Sequence, residues 1–171
     1  MARSVAQWRW ISPRPSETDT EHALNTAVRF LAQRPRSEYE VRQRLRRAGV
    51  DDAVAESVLE RLRRHELLND TAFAEYWVEQ RQTFRPRGAR LLRAELASKG
   101  IDRALASEAA AIVEGSAEED AYRAARGRAN HLRTLDERTF KARLGQWLTR
   151  RGYDWTTIET IIERLWAERA A

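Results

Sequence analysis

Residues Leu67 to Asp102, LLNDTAFAEYWVEQRQTFRPRGARLLRAELASKGID, decide the fold. The stretch reads as two helices joined by a proline turn. Asn69 or Asp70 can cap the first, because a short polar side chain accepts a hydrogen bond from the free N–H groups of a first helical turn. Phe73, Trp77 and Phe84 give that helix an apolar stripe. Arg85-Pro86-Arg87-Gly88 ends it, since proline cannot continue a helix and biases its predecessor away from one. The second helix carries Leu92 and Leu96 one turn apart and stops at Gly100, which tolerates a left-handed cap. Between Arg81 and Arg93 there are five arginines and no acid.

The same design recurs on both sides. Ala48-Gly49-Val50-Asp51 matches Lys99-Gly100-Ile101-Asp102 at an offset of 51, and Arg151-Gly152-Tyr153-Asp154 matches at a further 52. These offsets superpose Val41, Leu92 and Leu144, then Leu45, Leu96 and Leu148, then Leu62, Val113 and Leu165. Arg34-Pro35-Arg36 falls on Arg85-Pro86-Arg87. The chain therefore reads as all-α: three tandem three-helix repeats at 18–66, 67–115 and 116–171, preceded by an arm at 1–17. Such arrays are stabilised by each unit and its neighbours, and they extend rather than close up.

Within the first repeat, Thr18-x-x-Glu21 and Ser37-x-x-Glu40 have capping-box spacing. Leu24, Ala27, Val28 and Leu31 mark one face of the first helix. Asp51 opens the third. In the last repeat, Tyr122, Ala125, Ala129 and Leu132 line one helix, and Thr134-x-x-Glu137 is read as the cap of the next. The final helix starts from Asp154. Gly49, Gly100, Gly152 and Asp70 are assigned to caps and turns.

Charge follows the repeat. Arg29 to Arg47 sums to +5, Arg81 to Arg93 to +5 and Arg123 to Arg151 to +7, whereas Asp51 to Glu60 sums to −4 and Asp154 to Glu168 to −3. Arginine supplies all but two of the 31 basic residues, the exceptions being Lys99 and Lys141, and the net charge is +5. A guanidinium is a planar, permanently charged fork suited to phosphates and carboxylates. If the units stack in one orientation, their basic segments align as a stripe. The candidate partner- or DNA-binding residues are Arg34, Arg36, Arg85, Arg87, Arg90 and Arg93. Trp77 and Trp147 fall at core-type positions, Trp166 is open between core and surface, and Trp8 and Trp10 in the arm are candidate contacts.

Several functions are disfavoured. The chain has no cysteine, so it offers no disulfide, thiolate ligand or thiol nucleophile. His22, His65 and His131 lie in different repeats, and no catalytic or metal-binding constellation is visible. No glycine loop for phosphate follows a strand. No apolar run approaches the ~18–20 residues of a membrane helix, and the first residues lack the apolar region of a secretory signal. The expectation is a monomeric, cytoplasmic protein that is not an enzyme and has no cofactor and no membrane contact.

Three segments carry a family likeness. Arg36-Ser37-Glu38-Tyr39-Glu40-Val41, Leu67-Leu68-Asn69-Asp70 with Phe73-Ala74, and Gly88 followed by Leu92, Glu95-Leu96 and Lys99-Gly100-Ile101 resemble the RecX family of bacterial RecA regulators. The likeness spans about residues 23–168 and is most specific in its middle. It implies three tandem three-helix repeats in an elongated, curved shape. It also implies binding along the groove of the RecA–DNA filament, with inhibition of strand exchange, of ATP hydrolysis by RecA and of its coprotease role in the SOS response. The basic stripe itself, read from the residues alone, suits either the phosphates of single- or double-stranded DNA or an acidic protein surface. Where members of that family often place a glycine before Leu-Asn-Asp, this chain has Arg64-His65-Glu66, and the link there is expected to bend differently. The alternative reading is a stand-alone nucleic-acid-binding helical repeat protein. A third is a helical scaffold for another acidic partner.

Overall fold

The computed structural model describes residues 17–169, and among these there are nine helices and no strand. In chain order they are α1 (Glu17–Leu31), α2 (Glu38–Arg47), α3 (Asp52–Arg64), α4 (Asp70–Phe84), α5 (Ala89–Ser98), α6 (Arg103–Ala111), α7 (Ala117–Leu132), α8 (Glu137–Arg150) and α9 (Trp155–Glu168). The extensive helix–helix contacts all fall inside the triplets α1–α3, α4–α6 and α7–α9. Each triplet closes on its own apolar cluster. The first includes Ala23, Ala27, Val41, Leu45, Val58 and Leu62; the second Phe73, Val78, Leu92, Leu96 and Val113; the third Ala125, Phe140, Leu144, Leu148, Ile161 and Leu165. The superposed leucine and valine positions are the buried centres of their clusters. Val41, Leu92, Leu144, Leu45, Leu96 and Leu148 are each 0% exposed.

The glycine turns are alike. Gly49, Gly100 and Gly152 have φ of 76°, 77° and 85°. The next residue's N–H then reaches back to a helix carbonyl: Val50 to Leu45, Ile101 to Leu96 and Tyr153 to Leu148. A left-handed residue followed by such a return bond is the geometry that closes a helix C-terminus.

Two joints connect the triplets, and both use the same parts. In each, the residue capping the second helix of one triplet meets the carbonyl just before the turn glycine of the next. At the first joint Ser37 Oγ donates to the Lys99 carbonyl at 2.7 Å. At the second the Gly88 N–H donates to the Arg151 carbonyl at 2.9 Å. Asp70, the first residue of α4, accepts from the Glu38 N–H at 2.8 Å, so it caps α2 of the neighbouring triplet. α4 itself is capped by Asn69, whose side chain accepts from the Ala72 N–H at 3.0 Å.

Several local expectations are corrected. Thr18 lies inside α1, which already begins at Glu17. The face of α1 is centred on Ala23 and Ala27, which leaves Val28 41% exposed. α8 is capped by Asp136 rather than Thr134, because the Asp136 carboxylate reaches the Thr139 N–H at 3.0 Å. α8 has fourteen residues where α2 and α5 have ten, and the extra turn lies at its N-terminal end. Phe84 is 74% exposed, because it ends α4 clear of the second cluster. Glu66 takes a left-handed φ of 57°, so the link before Leu67 turns as a glycine would. The arm at 1–16 lies outside the described residues, so Trp8 and Trp10 are not placed.

Candidate functional site

The turns that join first and second helices bring a run of cations and aromatic rings onto one continuous surface. Arg36 lies over the Phe30 ring at 3.9 Å. Beside it Arg34 pairs with Glu40 at 3.1 Å, and Glu40 also takes a bond from Lys99 of the next triplet at 2.8 Å. Lys99 sits 5.0 Å above Trp77, and Arg81 stacks on the same ring at 4.1 Å. The Trp77 indole N–H donates to Glu95 at 2.9 Å, Arg81 reaches the same carboxylate at 2.8 Å, and Arg87 closes on its other oxygen. Arg151 follows from the third triplet. It donates to the Pro86 carbonyl at 3.2 Å and stacks on Trp147 at 4.0 Å.

Seven cations (Arg34, Arg36, Arg81, Arg85, Arg87, Lys99 and Arg151) thus share a ribbon with two acids, Glu40 and Glu95. The crowding of positive charge is felt along it. Burial, then the nearby Arg81, Arg151 and Arg85, lowers the Arg87 pKa. Burial and Arg34 do the same to Arg36. Burial pushes Glu40 up, but the hydrogen bonds and charges of Lys99 and Arg34 outweigh it, and its pKa lies below the ordinary glutamate value. Cations stacked on aromatic faces gain attraction from the ring quadrupole, about 0.5–2 kcal/mol depending on desolvation.

The structure divides the arginines named from the sequence. Arg34, Arg36, Arg85 and Arg87 lie on the ribbon, and the exposed Arg85 side chain makes no ion pair or hydrogen bond among the described residues. Arg90 and Arg93 point elsewhere. They line a separate cleft with Glu114, Glu118 and Glu119. There Arg90 donates to the Thr149 carbonyl at 2.6 Å, holding the second joint, and Arg93 pairs with Glu114 at 3.2 Å. Gly49, Gly100 and Gly152 form the helix-ending turns, and Asp70 caps across the first joint.

Sequence reasoning missed Arg81, Lys99 and Arg151 as members of the surface, along with Trp77 and Trp147 as its platforms. Both tryptophans pack against their clusters with one part and lie under a cation with the other. A signal was present. Trp77 precedes Arg81, and Trp147 precedes Arg151, by four residues, the spacing at which helical side chains meet. Among the described residues no group of His, Asp or Glu could hold a metal ion, and no helix is long and apolar enough to cross a membrane.

Comparison with known proteins places this architecture. Residues 23–62 match the first three-helix domain of RecX and residues 69–109 the second. The regulatory protein RecX of Amycolatopsis mediterranei is 38% identical over 87% of this chain and 86% of its own length. That of Prosthecochloris aestuarii is 35% identical over 88% of this chain and 97% of its own. The crystal structure of RecX from Lactobacillus salivarius superposes with a TM-score of 0.78 and 25% identity, covering 86% of this chain and 97% of that one. With two RecX domains in the expected order and relatives matched along nearly their whole length, this chain belongs to the RecX family of regulatory proteins.

Proposed function

We propose that this protein binds the RecA–DNA filament and restrains RecA: its recombinase, ATPase and coprotease activities. It does so as a cytoplasmic monomer, without a cofactor and without catalysis of its own. Its three helix triplets are read as three repeats, at 18–66, 67–115 and 116–171 behind the arm at 1–17, forming an elongated, curved array. The observation that carries this reading is the ribbon. One basic, aromatic-studded surface crosses both joints and so can span more than one subunit of a helical polymer. Arg85 is its most accessible cation, with Arg34, Arg36 and Arg87 beside it.

The test is the DNA-dependent ATPase of RecA with the purified protein titrated in. The expected result is inhibition near stoichiometric levels. The double variant Arg85→Glu, Arg87→Glu is expected to weaken inhibition at least tenfold while keeping its helix content. Absence of inhibition by the folded wild-type chain would overturn the proposal. A second reading, a stand-alone binder of nucleic acid, draws on ring–cation pairs such as Phe30–Arg36, Trp77–Arg81 and Trp147–Arg151. Aromatic faces beside cations suit stacked bases and phosphates. That reading requires tight binding of a bare oligonucleotide that falls steeply with salt.

A further inference from the structure

We propose that Glu95 and Glu40 are built-in counter-ions that make the ribbon selective, holding it off free nucleic acid and reserving it for the filament. The idea rests on the filament-binding reading above and adds to it the source of discrimination.

Both acids sit where a ligand anion would otherwise sit. Each has a side chain only 14% exposed. Glu95 takes three donors at once: Trp77 Nε1, Arg81 Nε and a guanidinium nitrogen of Arg87. Glu40 takes Lys99 and Arg34, and its other oxygen faces the Ser37 N–H at 3.4 Å as part of the α2 capping box. Along the chain the two acids are 55 residues apart, yet they take the same place, between cations at the centre of the surface.

Such placement has a consequence for polyanions. A protein that binds nucleic acid through phosphates gains from the counterions it displaces, and log K changes with log salt by about 0.7–0.9 for each phosphate neutralised. A guanidinium already held by a part-buried carboxylate must give up that pair before it can neutralise a phosphate. Removing one partner of a buried pair is costly because the other is left uncompensated. Arg81 and Arg87 are therefore poor phosphate ligands while Glu95 is charged between them.

A folded partner makes different demands. The exposed tip of the surface, Phe84 next to Arg85, offers an apolar ring and a free guanidinium without disturbing either acid. Arginine and aromatic anchors of this kind carry most of the energy in protein interfaces. The acids thus tax free DNA more than they tax the filament.

The experiment compares Glu95→Gln and Glu40→Gln with Glu108→Gln. Glu108 is an exposed α6 residue outside the ribbon, and its variant changes net charge equally. Probes are a fluorescent thirty-nucleotide oligo-dT and RecA filaments on single-stranded DNA. Glu95→Gln is expected to bind the oligonucleotide about tenfold more tightly, with a salt slope steeper by about one. Glu40→Gln is expected to move the same way and Glu108→Gln to stay within twofold, and filament affinity to rise by a smaller factor than oligonucleotide affinity in the two ribbon variants. Equal effects of Glu95→Gln and Glu108→Gln, in samples of unchanged melting temperature, would overturn the proposal. If Glu95→Gln does not fold, the Glu40→Gln comparison decides. Failure of the wild-type chain to bind filaments would instead remove the functional reading, and the oligonucleotide ratio would still measure the counter-ion effect.

Discussion

The two joints are built to one plan and held by different forces. At the first, Ser37 occupies the capping position with φ −72° and ψ 159°, and at the second Gly88 does so with φ −71° and ψ 157°. The backbone is the same, but the distance of approach is not. A Cβ on Gly88 would lie 2.3 Å from the Gly152 carbonyl oxygen, so the second joint closes backbone on backbone. The first joint leaves room for a serine hydroxyl and fills the remaining space with side chains: Tyr39 against Gly100, Lys99 on Glu40, and Asp70 on the Glu38 N–H. One joint is steric, with arginines donating to carbonyls, whereas the other is charged. A single repeating design can therefore contain a stiff connection and a tunable one.

The largest expected effect comes from putting the first joint's residue into the second. Gly88→Ser fits its own backbone but not its neighbour, and should cost about 3 kcal/mol as overpacking. Thermal unfolding measures this. Fluorescence transfer between dyes on Arg103→Cys and Arg143→Cys, in a chain with no native cysteine, should report the joint opening. An unchanged melting temperature would mean that the close approach is not a constraint.

Next comes charge. Lys99→Glu should cost about 2 kcal/mol by leaving Glu40 beside a like charge, and Glu40→Lys in the same chain should recover part of it. No recovery would show that the pair is incidental.

Acid provides a third contrast. Glu40 has a lowered pKa, so the stability it lends is complete above the ordinary glutamate value of 4.5 and is lost as pH falls through its lower folded value. Asp70 acts oppositely. Burial, more than any nearby charge, raises its pKa, so its protonation comes earlier on acidification and relieves a cost. The hydrogen bonds across the second joint, from Gly88 to Arg151, Arg90 to Thr149 and Arg151 to Pro86, all end on carbonyls. Acidification below about pH 4 should therefore change transfer between dyes on Arg47→Cys and Arg103→Cys and leave the Arg103→Cys, Arg143→Cys pair unchanged. Equal responses would erase the distinction.

The smallest effect should be a gain. Glu66 holds a left-handed φ of 57° on the link into the first joint, a conformation that costs a side-chain-bearing residue about 1 kcal/mol. Glu66→Gly should raise stability by about that amount, less the flexibility that glycine adds to the unfolded chain. A lowered melting temperature would show that the Glu66 side chain does more than tolerate the turn.

Sequence periodicity disclosed the helices, the turn glycines and the cluster-centre leucines, because each depends on residues within a few turns of one another. It could not disclose the joints. Glu40 and Lys99 are 59 residues apart, and nothing local marks them as partners. The arginines were separable only in three dimensions. Arg85 and Arg87 precede α5, whereas Arg90 and Arg93 lie within it and are carried around the helix to the Thr149 carbonyl and Glu114. Trp77 and Trp147 show the limit of pattern reading most clearly. Helical spacing assigns a residue to the inward side but does not say that the outer part of its ring supports a cation.

The longer α8 sets the third triplet apart from the other two. At both joints the connecting residue lies one short helix, ten residues, ahead of a turn glycine's C-cap. α8 carries four residues more, which at 1.5 Å of rise each displaces its capped end by about 6 Å. Asp136, which caps α8, therefore stands at a different distance from its turn glycine than Ser37 and Gly88 do from theirs, and the third triplet is a variant of the design rather than a copy of it.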